Sequence, residues 1–117
     1  SIAITTSIQA FQPSEVLLDY AATKAALNNL MVNLASDLGP RGIRVNSLCP
    51  GLSITERNRA MTEDPVHLAR FKGWSADGRI SQPDDIGAAA VFLLSDAASA
   101  ITGTELLADR AMSSKLG

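Results

Sequence analysis

Residues 19–51 read DYAATKAALNNLMVNLASDLGPRGIRVNSLCPG, and the order of signals in this stretch decides the fold class. Leu27, Leu30, Met31, Leu34, Ala35 and Leu38 recur at i, i+3, i+4 and i+7, the spacing of one apolar helix face. Gly39-Pro40 supplies the stop, with glycine at the usual terminating position and proline just beyond it. Ile43 to Leu48 follows as a β-prone run closed by Cys49-Pro50-Gly51, and reads as a strand. A helix from about Asp19 to Leu38 therefore returns into a strand.

Upstream, Ile2-Ala3-Ile4-Thr5-Thr6 is rich in β-branched residues and reads as a short strand, broken by Gln12-Pro13-Ser14. Downstream, residues 52–80 carry only pieces of a pattern. Thr55 to Ala60 and Val66 to Lys72 suit short helices, while Gly73 and Gly78 interrupt anything longer, so a movable segment is expected there. Gln82-Pro83-Asp84-Asp85 opens another helix, with proline in the first turn and two acids facing the positive end of its dipole. That helix runs through Ile86 to Leu94, and Glu105 to Ala108 reads as a third strand. The order β-α-β-(α)-α-β predicts parallel strands joined by helical crossovers, an α/β fold. Three parallel strands make a small sheet, and the chain opens on Ser rather than Met inside a β-prone run. The expectation is a single partial domain, residues 1–117.

Bulk properties narrow the function classes. An apolar fraction of 46% with 19% charged residues is that of a globular protein. The net charge of -2 and the scattered Lys and Arg give no footing for nucleic acid. No apolar run reaches the length of a membrane span. Cys49 is the single cysteine and cannot form an internal disulfide, which fits a reducing cytoplasm. With one cysteine and one histidine, His67, no metal site is expected. Cys49 reads as a small buried hydrophobe and His67 as a solvated surface residue. Trp74 suits either the substrate side of the mobile segment or the core.

Three residues raise a sharper question. Tyr20 and Lys24 stand at i and i+4, on one helix face with Cβ atoms roughly 5–6 Å apart. A free phenol, with a pKa of about 10, is a poor base at neutral pH. An ammonium about 4 Å from a phenolate, at an effective dielectric of about 20, stabilises it by about 4 kcal/mol. Ser7, thirteen residues before Tyr20, could bring a hydroxyl from the neighbouring strand end. Taken alone, a Tyr-x-x-x-Lys pair on an alanine-rich helix is more often packing beside a snorkelled lysine.

The ordered set points further. Tyr20-Ala21-Ala22-Thr23-Lys24 resembles the Y-x-x-x-K motif of the short-chain dehydrogenase/reductase family, and Ser7 falls where that family carries a catalytic serine. Gly42-Ile43-Arg44-Val45-Asn46 running to Pro50-Gly51 is similar to its "GIRVN…PG" segment. Arg79 with Gln82 to Ile86, and Ile101 to Glu105, resemble later family segments in the right order. The resemblance implies the C-terminal, catalytic half of a Rossmann-like doubly wound parallel sheet, with the N-terminal nucleotide-binding half absent. It implies NAD or NADP as cofactor, hydride exchange between an alcohol and a carbonyl, a small-molecule substrate and a homo-oligomer, dimer or tetramer. Tyr20 would act as general acid or base. Lys24 would support the phenolate and bond the nicotinamide ribose, and Ser7 would donate to the developing oxyanion. Tyr20, Lys24, Pro50, Gly51 and Thr55 would contact the cofactor, although Pro50-Gly51 is by itself an ordinary turn and Thr55 equally suits a helix cap.

The chain also departs from the pattern. It holds no glycine-rich T-G-x-x-x-G-x-G turn for the pyrophosphate. Where the family reads Asp-Gly-Gly after the last strand, Asp109 is followed by Arg110-Ala111, which puts the local turn in doubt. Activity is therefore expected only together with the other half. The alternative is a truncated, non-catalytic relative that serves as an oligomerisation or interaction module, using Ala21, Ala25 and Val32 of the long helix.

Overall fold

The computed structural model of the chain describes residues 1–13 and 16–115; Ser14, in the expected Gln12-Pro13-Ser14 loop, lies outside them. Three strands form one parallel sheet in the order β1-β2-β3: β1 Ile2–Thr5, β2 Val45–Pro50 and β3 Glu105–Ala108. Ile2 lies opposite Val45, and Ser47 opposite Glu105. Between β1 and β2 runs α1, Leu18–Leu38. Between β2 and β3 come α2 (Arg59–Glu63), α3 (Pro65–Trp74) and α4 (Pro83–Leu94). The α/β class and the order of elements are those expected.

The central strand explains the core. Val45 to Cys49 are five consecutive buried residues, so both faces of β2 are covered, as parallel strands require. Met31 and Ala35 of α1 close on Val45, with Ile4, Leu34, Leu38 and Ile43 packed around them. Leu30, in the same apolar stripe, instead stands 47% exposed. Side-chain bonds tie the sheet to its last crossover. Asn46 donates through Nδ2 to the Ile101 carbonyl at 2.9 Å and accepts from the Thr104 amide at 3.1 Å. Arg44 donates to the Ile101 and Ser95 carbonyls.

Helix α1 ends at Leu38 as expected, but the geometry of its exit and the bounds of the next strand differ in detail. Gly39 does not terminate α1 in the left-handed region. With φ of −54° it continues into a 3-10 turn, Gly39–Arg41, and the left-handed residue is Gly42 at φ 73°. Pro40 permits this because the first residues of a helical turn need no donated N–H. Strand β2 is also shifted, starting at Val45 and carrying Cys49 and Pro50 into the pairing with Leu107 and Ala108. Proline is tolerated there because it closes the strand. At α4 the expected start is present: Pro83 occupies the first turn, and the Gln82 amide donates to Asp85 Oδ2 at 2.8 Å.

Candidate active site

Strand β1 ends by delivering Thr6 and Ser7 beside the C-terminal half of β2. The Thr6 amide donates to the Leu48 carbonyl at 2.8 Å, and its hydroxyl lies 2.9 Å from the Cys49 sulfur. Ser7, buried, caps the short turn Ile8–Ala10, its Oγ accepting the Gln9 amide at 3.1 Å. A hydroxyl that accepts in this way keeps its own hydrogen for donation. Helix α1 contributes the other two groups from its first two turns. The Lys24 ammonium sits 5.5 Å from the centroid of the Tyr20 ring and donates to the Thr5 carbonyl at 3.1 Å. That single bond fixes the ammonium over the end of β1 and leaves two of its three donors free.

Ser7, Tyr20, Lys24, Pro50, Gly51 and Thr55 all line one cleft of about 1130 Å³. Every site residue expected from the sequence thus lies on a shared cavity. Gly51 is there for a steric reason. A Cβ at this position would stand 2.8 Å from Asp109 Cβ and 2.9 Å from its Cα, closer than real side chains come. Thr55 is the N-cap of the 3-10 turn Glu56–Asn58, its amide donating to Asn58 Oδ1 at 2.7 Å, and it faces the cleft as well. Cys49 is fully buried, and burial pushes its thiol above the usual range. His67 is exposed on α3 and pairs with Asp64, whose carboxyl is held below its usual range by the His67 amide and ring. Trp74 lies against Phe71, 41% exposed, on the cleft lining rather than in the core.

The sequence did not single out several other lining residues, among them Arg57, Met61, Phe71, Met112 and Lys115. Nor did it reveal Arg110. The turn after β3 keeps a left-handed backbone without glycine, with Arg110 at φ 53° and Ala111 at φ 57°. Such a conformation costs an L-residue about 1–2 kcal/mol. Its bonds offset that cost. Arg110 donates to Asp77 at 2.7 Å, to Asp85 at 2.9 Å and to the Ser81 hydroxyl at 3.2 Å, and its carbonyl accepts the Ala76 amide. Asp109 accepts the Ala111 and Ser113 amides across the same turn. Burial tends to raise the Asp77 carboxyl, but bonds and charge from Arg110 and Arg79 outweigh it and hold Asp77 below its ordinary value. Asp85 is lowered by the Gln82 amide and then by Arg110. The turn that the missing glycines put in doubt is therefore kept.

Among the described residues no helix is long and apolar enough to cross a membrane. A family model described as enoyl-(acyl carrier protein) reductase matches residues 1–113. L-rhamnose 1-dehydrogenase (NADP(+)) of Thermoplasma acidophilum is 41% identical over 111 residues, covering 95% of this chain and 44% of the relative. A short-chain type dehydrogenase/reductase from Mycobacterium ulcerans superposes with a TM-score of 0.91 at 33% identity, covering 98% of this chain and 42% of that one. A gluconate 5-dehydrogenase from Burkholderia cenocepacia, solved with NADP and tartrate, gives 0.89 at 32% identity, covering 97% and 45%. The chain spans less than half the length of each of these three proteins.

Proposed function

The chain belongs to the short-chain dehydrogenase/reductase family, and on that premise we propose that it is the catalytic half of an NAD(P)-dependent oxidoreductase interconverting an alcohol and a carbonyl. The observation that carries this reading is the convergence of Ser7, Tyr20 and Lys24 on one cleft. The same cleft suits a nicotinamide end. Pro50, Gly51 and Thr55 line it beside Tyr20, and two Lys24 donors remain for a ribose. A nicotinamide dinucleotide supplies or takes the hydride when bound.

The chain's residues do the rest. In oxidation, the Tyr20 phenolate takes the hydroxyl proton as the carbon loses its hydride; in reduction, the phenol returns a proton to the new alkoxide. Lys24, its ammonium 5.5 Å from the centroid of the Tyr20 ring, keeps two donors to hold the cofactor beside it. Ser7 donates its free hydrogen to the same substrate oxygen, where negative charge develops in either direction. The 117 residues hold no glycine-rich phosphate turn, so activity requires a nucleotide-binding half outside them. Self-association through α1 belongs to the same reading, since Val32, on the side that carries Ala21 and Ala25, stands 49% exposed.

The test uses the full-length protein, following reduced nicotinamide during turnover of an alcohol panel. Tyr20→Phe is expected to lower kcat by about 10²–10⁴-fold, the usual contribution of a positioned acid or base, while cofactor affinity stays near that of the parent. Turnover retained in Tyr20→Phe removes the phenol from the reaction.

A further inference from the structure

The chain carries ten Lys and Arg against twelve Asp and Glu, so its average surface is faintly acidic. The cleft reverses that sign. Its lining includes Lys24, Arg57 and Lys115, and no carboxylate among the described residues. None of the three cations is neutralised by a described acid. Lys24 donates to the Thr5 carbonyl, and Lys115 to the carbonyls of Gly73 and Ser75. Arg57 has no ion pair with any described residue. Elsewhere Arg41, Arg44, Arg70 and Lys72 are likewise without an ion pair among the described residues, and the other cations are matched. Arg59 stands 2.8 Å from Glu56, His67 2.9 Å from Asp64, Arg79 3.6 Å from Asp77, and Arg110 against two acids. Uncompensated charge of one sign, gathered on a concave wall, concentrates counter-charge there.

Resting on the oxidoreductase reading above, we infer that the cleft takes a substrate bearing a carboxylate, a hydroxy or oxo acid, with Arg57 as the residue that selects it. Lys24 belongs to the reaction, and Lys115 spends two of its three donors on main-chain carbonyls. Arg57 alone keeps its whole guanidinium for a ligand, and that planar fork matches a carboxylate with two parallel bonds. Met61, Trp74 and Met112 line the same cavity and pack the carbon chain between acid and alcohol. The phosphates of the dinucleotide are oxyanions too, so the test separates them from the substrate.

Calorimetric titration of the NADPH-saturated full-length protein reads binding without turnover, since an alcohol beside reduced cofactor cannot react. D-Gluconate is compared with D-glucitol, the uncharged polyol of equal length. D-Gluconate is expected to bind at least tenfold tighter. Arg57→Gln should erase that preference while D-glucitol and NADPH affinities hold, and Arg57→Lys should restore part of it. Equal binding of the two polyols by the parent protein, binding of neither, or a preference unchanged in Arg57→Gln overturns the inference. So does a loss of NADPH affinity with the preference kept, which assigns Arg57 to the cofactor phosphates. An Arg57-dependent acid preference in a protein that transfers no hydride upholds the anion site and defeats the oxidoreductase reading instead.

Discussion

The residues lining the cleft fall into two sets that are built differently. Ser7, Tyr20 and Lys24 sit on the end of β1 and on a 21-residue helix, elements fixed by ladder pairing and by the Met31–Ala35–Val45 core. Arg57, Met61, Phe71 and Trp74 come from a three-residue turn, a five-residue helix and a ten-residue helix. Helices that short are marginal on their own. A few specific bonds hold this second set in place. Ser53 bridges to Ser81, the Ile54 amide donates to the Ser81 carbonyl at 2.9 Å, and Arg110 gathers Asp77, Ser81 and Asp85. Proton transfer tolerates little error in position, which suits the rigid set. A set held by a handful of side-chain bonds can change its contacts without disturbing the sheet.

Breaking the rigid side should have the larger effect. Gly51→Ala forces a methyl against the Asp109 backbone and side chain, an overpacking expected to cost about 1–3 kcal/mol. Urea denaturation reads this as a lower midpoint. An unchanged midpoint would mean that the turn after β3 yields, and that the two strand ends are not rigidly docked.

A smaller effect is expected on the second set. Arg110→Ala keeps the left-handed backbone but removes the bonds to Asp77 and Asp85, so the melting temperature should fall. The loss depends on pH in a defined direction. Both carboxyls are held below their ordinary values in the folded chain. Their contribution is therefore complete above the unfolded carboxylate pKa of about 3.9, and is lost as pH falls through the folded values. Thermal melts of parent and variant should differ at neutral pH and converge under acid. A gap that stays constant across that range would show that Arg110 acts through packing of its stem and not through its charge.

The same division governs what the sequence reveals. Helix α1 was readable because its apolar period runs through several turns, and β2 because β-branched residues follow a Gly-Pro stop. Leu30 illustrates the limit, since periodicity marks a face without saying how wide a stripe the sheet covers. Pro40 marked the helix end correctly without showing how the turn is built, because proline is as compatible with a new 3-10 turn as with a plain stop. The second set offered almost nothing to read, being made of elements too short to show a period. Arg110 was illegible for another reason. Left-handed backbone is ordinarily signalled by Gly or Asn, and the acids that compensate it lie 33 and 25 residues away in sequence. The site residues were legible as a spaced motif, while the uncompensated positive charge of the cleft emerges only when distant segments are brought together.

That Ser7 and Tyr20 serve a single substrate oxygen is tested most directly by a double-mutant cycle on kcat/KM in the full-length protein. Groups acting as one unit give non-additive losses. Tyr20→Phe and Ser7→Ala should each slow the reaction, and the double variant should be about as slow as Tyr20→Phe alone. Losses that multiply in the double variant, or a Ser7→Ala enzyme as fast as the parent, would contradict a shared reaction centre.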